Sequence, residues 1–184
     1  QFEEIVVSPG VAPETEGISN TYSHLISDIQ LFRRAWPEHQ SLVAITGSNA
    51  KSTVTYLVAE ILKADGRDVL VGGNLGPQAL DLLPQRKDQS IAVLELSSFQ
   101  LERTRGLRAT VATCLNMSPD HLDWHGSRNK YSQSKFKIFN NQSKNDIAFL
   151  NDSSLKKIYK KNNYLGNLKF IKKNFIKIKK TKNN

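Results

Sequence analysis

A chain of 184 residues with 39% hydrophobic side chains is long enough for one domain and part of a second. The formal charge is +9, but residues 156–184 contain eleven lysines and no acidic residue, which leaves residues 1–155 at −2, from 15 basic and 17 acidic side chains. A net acidic body excludes a broad basic surface for nucleic acid, and without an apolar run of 18 residues there is no membrane span. We therefore expect neither a specific nucleic-acid partner nor a membrane partner.

Strands and helices alternate along most of the sequence. In chain order the patterns predict a strand at Glu4–Val7, a helix from Leu25 to Trp36, a strand at Leu42–Thr46, a helix at Ser52–Lys63, a strand at Val69–Val71, a helix at Pro77–Leu83, strands at Ile91–Leu96 and Thr110–Leu115, a helix at Asn129–Phe139, a strand at Ile147–Leu150 and a helix at Ser153–Lys161. This alternation predicts an α/β fold with a mostly parallel sheet and flanking helices. In such sheets ligands bind at the carboxyl ends of the strands.

The sequence contains one cysteine, Cys114, inside the apolar run Val111–Leu115. A single cysteine permits no disulfide framework, which is typical of a reducing compartment, so we expect a cytoplasmic protein with Cys114 as an inert core residue. The N-terminus lacks both a starting Met and a signal-peptide apolar region. We expect the chain to begin in the middle of a gene product.

The segment after the predicted strand Leu42–Thr46 carries the residue types that bind phosphate. Small, turn-prone residues are followed by Lys51, two hydroxyls and a helical pattern. Helix N-termini attract anions, a Lys places a point charge on a polyphosphate, and the next hydroxyl can ligate Mg²⁺. This order predicts a nucleotide-binding loop, although an ordinary strand-to-helix turn with a solvated Lys has the same order. The predicted ATP-binding residues are Gly47, Ser48, Asn49, Ala50, Lys51, Ser52 and Thr53.

The match to the generic loop pattern G-x-x-x-x-G-K-[ST] is imperfect. Ile45 stands where the pattern has its first Gly, and Ala50 stands where it has its second. Alanine keeps the site small but does not adopt a positive φ freely.

Polar side chains also follow the other predicted strands. Asn74 follows the second strand of the domain, and Glu95 ends the third. The fourth strand is followed by Asn116, Asp120, His121 and Asp123. We expect these ends to converge on one rim of the sheet, where a carboxylate near the loop hydroxyl is the usual second partner for Mg²⁺. For Glu95 the alternatives are a structural ion pair or an exposed strand end. No role is assigned to the remaining histidines, His24, His39 and His125.

The predicted helix Asn129–Phe139 places Tyr131, Lys135 and Ile138 on one stripe. A lysine on an apolar stripe normally extends its ammonium outward to solvent. If Lys135 instead points into the site, its pKa can fall and the neutral amine can react.

Taken together these motifs resemble the Mur ligase family. The segments that carry the resemblance are Ile45–Thr53, Gly72–Gly76, Leu94–Glu102, Asn116–Asp123 and Tyr131–Phe139. The first is shared in outline with folylpolyglutamate synthetases. The third is more similar to the family member that adds D-glutamate than to its siblings.

The resemblance implies an ATP-dependent amide ligation in peptidoglycan precursor synthesis. The carboxylate of UDP-N-acetylmuramoyl-L-alanine would be activated as an acyl phosphate, and the amine of D-glutamate would displace phosphate. By the same resemblance Lys51 binds the β- and γ-phosphates, and Ser52 and Glu95 hold one Mg²⁺. His121 and Lys135 would serve a second Mg²⁺, with Lys135 carbamylated by CO₂. The implied catalytic residues are Lys51, His121 and Lys135.

The resemblance also implies contacts to the UDP-muramoyl substrate. They involve Gly10, Asn74, Ser97 and His121. The expected partners are thus small molecules, namely ATP, UDP-N-acetylmuramoyl-L-alanine and D-glutamate, acting on a monomer.

The length of the chain implies a fragment. We predict a remnant of the N-terminal substrate domain at residues 1–36, an incomplete ATP-binding central domain at 37–155, and a Lys/Asn-rich tail of uncertain structure at 156–184. Low-complexity bias is the favoured interpretation of that tail. A chain without the ATP-closing C-terminal domain is expected to be inactive alone.

Two alternatives remain open, and a third, a polyanion-binding protein that uses the lysine-rich tail, is disfavoured by the net charge of −2 on residues 1–155. A sibling ligase or folylpolyglutamate synthetase would share the phosphate loop, but the run Leu96–Gln100 disfavours it. A non-catalytic nucleotide-binding module would need Lys51 and Ser52 without Glu95, His121 and Lys135, and all of these are present.

Overall fold

The computed structural model describes residues 3–11 and 24–170. The strands are β1 Ile5–Val6, β2 Leu25–Ile26, β3 Leu42–Thr46, β4 Val69–Gly73, β5 Ile91–Glu95, β6 Val111–Cys114, β7 Ile147–Leu150 and β8 Asn167–Phe170. The α-helices are α1 Asp28–Ala35, α2 Lys51–Ala64, α3 Ser98–Glu102, α4 Leu122–His125, α5 Arg128–Phe136 and α6 Ser153–Lys161, with 3-10 helices at Ala79–Gln85 and Lys137–Phe139. In these described ranges no helix has the length and apolarity needed to cross a membrane.

Six strands form one sheet in the order β4-β5-β3-β6-β7-β8, and every neighbouring pair is parallel. The predicted α/β fold with a parallel sheet is therefore confirmed. From β3 the chain moves to β4 and β5 on one side and then to β6, β7 and β8 on the other. The order reverses at β3, and a reversal of this kind marks the ligand-binding crevice of an open α/β sheet.

The core lies on both faces of the central strands. Leu42, Ala44 and Ile45 of β3 are at most 1% exposed, as expected for a strand covered on both sides. Cys114 at the end of β6 is also fully buried, and burial raises the pKa of its thiol to about 12. The cysteine is therefore the inert core residue that the sequence predicted.

The predicted helix from Leu25 is wrong in its first turn. Leu25–Ile26 forms a strand that pairs in parallel with Ile5–Val6, and helix α1 begins at Asp28. Ser27 lies between the two as the N-cap of α1, because its Oγ accepts a hydrogen bond from the N–H of Gln30. The helical spacing of Leu25 and Ile29 had indicated one continuous helix. Both residues are buried, but Leu25 lies in strand β2 and Ile29 in helix α1.

Several elements differ from the sequence patterns or were absent from them. The helix predicted at Pro77–Leu83 is a 3-10 helix at Ala79–Gln85, and the four- and five-residue helices α4 and α3 are too short to show a period. Strand β8 adds an edge to the sheet from within the Lys/Asn-rich stretch. The rest of the predicted tail, residues 171–184, and the polar segment 12–23 lie outside the described residues.

Candidate functional site

The predicted phosphate loop leaves the sheet between two neighbouring strands. Strand β3 ends at Thr46, flanked by β5, which ends at Glu95, and by β6, which ends at Cys114. Helix α2 begins at Lys51, so residues 47–50 form the whole connection. Polar residues that follow β5 and β6 are thereby brought to the two sides of this loop.

Ala50 adopts the left-handed conformation that the generic motif assigns to glycine. Its φ is 63° and its ψ is 11°, an arrangement that destabilises an L-residue by about 1 kcal/mol relative to glycine. Ala50 also occupies the N-cap of α2 and supplies no side-chain hydrogen bond to it. The first-turn N–H groups of α2 have no intrahelical acceptor, which leaves a partial positive charge at the start of the helix.

Lys51 folds back over the loop. Its Nζ donates a hydrogen bond of 3.1 Å to the carbonyl oxygen of Ser48. The ammonium is therefore held beside the uncapped helix N-terminus, in reach of any anion that binds there.

Ser52, Glu95 and Asn74 meet on the β5 side of the loop. The Ser52 Oγ donates to Glu95 Oε2 at 2.8 Å, and the Asn74 Nδ2 donates to Glu95 Oε1 at 2.9 Å. The Asn74 backbone N–H also donates to the Glu95 carbonyl oxygen at 2.8 Å. Close approach is possible because Gly73 precedes Asn74, and a Cβ at Gly73 would lie 2.4 Å from that carbonyl oxygen.

Glu95 is a buried carboxylate that pairs only with neutral donors in the described structure. The residue is 2% exposed, and no ion pair among the described residues includes it. Burying an uncompensated carboxylate is unfavourable, so the site fits a cation. The hydroxyl of Ser52 and the carboxylate of Glu95 are oxygen ligands of the type that Mg²⁺ prefers.

Lys135 is buried next to the other side of the loop. It is 2% exposed, its Nζ donates to the carbonyl oxygen of Gly47 at 2.8 Å, and the ammonium lies 4.8 Å from the centre of the Tyr131 ring. Burial lowers the pKa of Lys135 to about 8. The side chain does not extend outward to solvent, as most lysines on an apolar stripe do.

His121 is a half-exposed neighbour of the same Tyr131 ring. Their ring centres are 6.5 Å apart, and the His121 side chain is 47% exposed. Its backbone is left-handed, with φ 49°, its N–H donates to Asp120 Oδ1 at 2.9 Å, and helix α4 starts at the next residue. Tyr131 is thus the common neighbour of the two residues predicted to serve a second metal.

Within residues 3–11 and 24–170, no group of three or more His, Cys, Asp and Glu side chains is arranged to hold a metal ion. The donors predicted here include a serine hydroxyl and a modified lysine, so the predicted sites do not depend on such a group. Both metal sites stay predictions.

Two predicted substrate contacts have other roles in the local structure. The Oγ of Ser97 accepts the N–H of Gln100 and caps helix α3 in a capping box. Gly10 lies in a segment tied to helices α3 and α4, since Arg103 donates to the carbonyl of Ser8 and Trp124 Nε1 donates to the carbonyl of Val11 at 3.3 Å. Their contacts to a substrate remain predictions.

Two residues near the site were not predicted to have a role. Asn116 was expected at this rim from its position after the fourth strand but was given no role, and its side chain contacts the phosphate loop. His125 is buried between the hydroxyls of Ser98, at 3.0 Å, and Ser134, at 3.3 Å. Burial lowers the pKa of His125 to about 4, so its imidazole is neutral at physiological pH.

The model of the Mur ligase middle domain matches residues 45–183. The chain belongs to the Mur ligase family. The UDP-N-acetylmuramoylalanine–D-glutamate ligase of Acinetobacter baylyi is 49% identical over 158 residues, which are 84% of this chain and 34% of that protein. The ligase of the same name from Koribacter versatilis is 43% identical over 80% of this chain and 33% of its own length.

This Mur ligase chain therefore spans about a third of the length of the curated relatives it matches. Solved structures agree on its fold. MurF ligase of Thermotoga maritima in complex with ADP has a TM-score of 0.63 at 23% identity, covering 94% of this chain and 42% of that one. Escherichia coli FolC in complex with DHPP and ADP has a TM-score of 0.55 at 18% identity, covering 77% of this chain and 44% of that one. The fold prediction and the family resemblance are both confirmed.

Proposed function

We propose that this chain forms the ATP-phosphate and metal-binding part of a ligase that adds D-glutamate to UDP-N-acetylmuramoyl-L-alanine in peptidoglycan precursor synthesis. The names of its relatives support this choice among the Mur ligases. The observation that carries the proposal is the 2.8 Å contact between Ser52 and the buried carboxylate of Glu95, directly beside the Lys51 loop. A phosphate loop, a hydroxyl and a strand-end carboxylate are the parts that hold a metal-bound nucleotide in this class of fold.

The roles of the loop residues follow from their positions. Residues 47–53 would bind the ATP phosphates, with the Lys51 ammonium neutralising charge on the transferring phosphoryl group. Ser52 and Glu95 would hold one Mg²⁺, which supplies charge neutralisation to the phosphates when bound. Asn74 would keep Glu95 oriented and contact the substrate, as Ser97 and Gly10 would from neighbouring segments.

Lys135 and His121 would serve a second Mg²⁺. The buried, partly neutral amine of Lys135 is suited to add to CO₂, with loss of one proton, to form a carbamate. The carbamate nitrogen retains one hydrogen, so it can still donate to the Gly47 carbonyl that the amine contacts now. The modification replaces a buried cation with an oxygen ligand that a metal can use.

The reaction transfers a phosphoryl group and then an acyl group. The substrate carboxylate oxygen forms a bond to the γ-phosphorus of ATP, and ADP leaves. The D-glutamate amine then attacks the acyl carbon, loses a proton and expels inorganic phosphate. A cytoplasmic location and a monomeric state stay predictions.

We propose that the 184-residue chain binds Mg-ATP weakly but does not complete this reaction alone. Since the chain spans about a third of its relatives, the parts that close over the nucleotide and bind the amine would have to come from elsewhere. The test is calorimetric titration with Mg-ATP, together with a product assay containing ATP, UDP-N-acetylmuramoyl-L-alanine and D-glutamate. Binding that Lys51→Ala abolishes would support the proposal, whereas robust turnover by this chain would contradict its fragment character.

A further inference from the structure

The side-chain carboxamide of Asn116 hydrogen-bonds to the phosphate loop through both its oxygen and its nitrogen. The Oδ1 atom accepts hydrogen bonds from the N–H groups of Ser48, at 3.0 Å, and Asn49, at 2.8 Å. The Nδ2 atom donates to the carbonyl oxygen of Asn49 at 3.0 Å. Because a carboxamide accepts and donates at once, these three contacts suit an Asn and few other side chains.

The backbone directly before Asn116 is hydrogen-bonded to strand β3 of the sheet. The N–H of Leu115, the preceding residue, donates to the carbonyl of Thr46 at the end of β3, at 2.9 Å. The side chain therefore reaches the loop from a fixed point, and its position does not depend on a flexible surface segment.

These contacts decide which loop N–H groups remain available to an anion. The N–H groups of Ser48 and Asn49 both point at Asn116, so they are already satisfied. The N–H groups in the first turn of α2 have no intrahelical acceptor, and the N-cap Ala50 offers no side-chain partner. A bound phosphate would therefore accept hydrogen bonds from the N–H groups of the helix turn that starts at Lys51.

Ala50, with its left-handed backbone, directly follows Ser48 and Asn49, the two residues that the Asn116 side chain contacts. A non-glycine residue keeps such a conformation only when its surroundings enforce it. The contacts of Asn116 to both the N–H and the carbonyl of Asn49 constrain the peptide that leads into Ala50.

We propose that Asn116 is a positioning residue for nucleotide binding. Its carboxamide holds Ser48 and Asn49 so that the first turn of α2 is presented to the phosphates. This role presupposes the proposed nucleotide binding and adds a residue that itself touches no phosphate. Asn116 also begins the segment that leads to His121, and so it links the nucleotide loop to the proposed second metal site.

The first test follows amide hydrogen exchange by NMR in the nucleotide-free chain. Asn49 is the sharper probe, because Oδ1 of Asn116 is its acceptor, whereas Ser48 also donates to the Asn116 backbone carbonyl at 3.2 Å. In Asn116→Ala the Asn49 amide should exchange at least ~10-fold faster, and the Ser48 amide should change less. Asn116→Asp keeps an acceptor for the Asn49 N–H but loses the donor to the Asn49 carbonyl oxygen, so its Asn49 amide should exchange faster than in the wild type and more slowly than in Asn116→Ala. The amide of Leu96, bonded to Ile45 in the sheet, should be unchanged and reports an intact fold.

The second test measures Mg-ATP affinity by calorimetry. Asn116→Ala should weaken binding about tenfold, and Asn145→Ala, at an exposed asparagine in the turn before β7, should leave it unchanged. Equal affinities for the two variants would overturn the positioning role. Absence of binding by the wild-type chain would contradict the proposed nucleotide function, and the exchange test would still decide whether Asn116 holds the loop. Unchanged Asn49 exchange in Asn116→Ala would overturn the inference by itself.

Discussion

The ammonium of Lys135 donates a hydrogen bond of 2.8 Å to the carbonyl oxygen of Gly47, 88 residues earlier in the chain. The contact ties helix α5 to the phosphate loop and buries a cation beside it. Burial lowers the pKa of this amine to about 8, so about a tenth of it is neutral at pH 7, far more than in an ordinary lysine. The neutral amine is the form that reacts with CO₂.

Lys135→Arg should inactivate a full-length ligase that carries this segment, by at least ~100-fold in kcat. The guanidinium keeps its proton and cannot form a carbamate. Lys135→Ala should be equally inactive, and a small carboxylate such as acetate should restore part of its activity by supplying the missing oxygen ligands. The measurement is ligase activity at saturating Mg²⁺.

Lys137→Arg is the matched control, because Lys137 lies two positions along and pairs with Glu102 at 2.9 Å, an ion pair that arginine can keep. It should retain wild-type activity. An active Lys135→Arg enzyme would show that Lys135 contributes only positive charge.

Lys51→Ala should remove most of the activity of the same full-length ligase, again by at least ~100-fold. The change deletes a charge held at the start of α2, where the transferring phosphoryl group would lie. Steady-state kinetics at saturating substrates would measure the loss. A change of about twofold would be typical of a surface lysine and would contradict the proposed role.

Ala50→Gly should stabilise the chain by up to about 1 kcal/mol, because glycine adopts the left-handed conformation of this residue without strain. Ala59→Gly, in the buried middle of helix α2, should instead destabilise it by about 1 kcal/mol, since glycine is unfavourable inside a helix. Urea unfolding of the three proteins would compare the free energies. Destabilisation by Ala50→Gly would mean that the left-handed conformation is not retained in solution.

His125 should make the stability of the chain depend on pH below neutrality. Burial lowers its pKa from 6.5 to about 4, so between these values the unfolded chain binds a proton that the folded chain does not. His125 therefore does not lower the free energy of unfolding above pH 6.5. As the pH falls from 6.5 toward 4, the free energy of unfolding decreases by at most ~3 kcal/mol because of this residue. Unfolding free energies of the wild type and His125→Gln at pH 7 and pH 4.5 would measure the difference. Parallel pH dependences would contradict a buried neutral imidazole.

The alternation of apolar runs and helical patterns was sufficient to predict the α/β fold and four of the site's parts. Strands β3 and β5 are buried on both faces, so their composition alone identifies them. Because parallel strands end at the same edge, Lys51, Ser52, Asn74 and Glu95 could be expected to converge. The structure brings Ser52, Asn74 and Glu95 into direct contact, and the Lys51 ammonium contacts the carbonyl of Ser48 in the adjoining loop. Family motifs added the expectation for His121 and Lys135.

The short helices and strands could not be predicted from the sequence, because they are too short to show a periodic pattern of apolar residues. The start of α1 depends on the capping hydroxyl of Ser27, and Leu25 is buried through a strand pairing with Ile5 that no helical period encodes. Helices α3 and α4 have too few residues to display a period.

The sequence itself determined three features: the residue types at the strand ends, the single core cysteine and the alternation of strands and helices. Each of them depends on apolar character or on spacing along the chain. Only the tertiary structure decided that Ala50 is left-handed, that the Lys135 ammonium is buried against Gly47, and that Asn116 grips Asn49. These features depend on contacts between residues far apart in the chain, and a backbone conformation or a pKa takes its value from such surroundings. A pattern of residue types along one segment does not contain them.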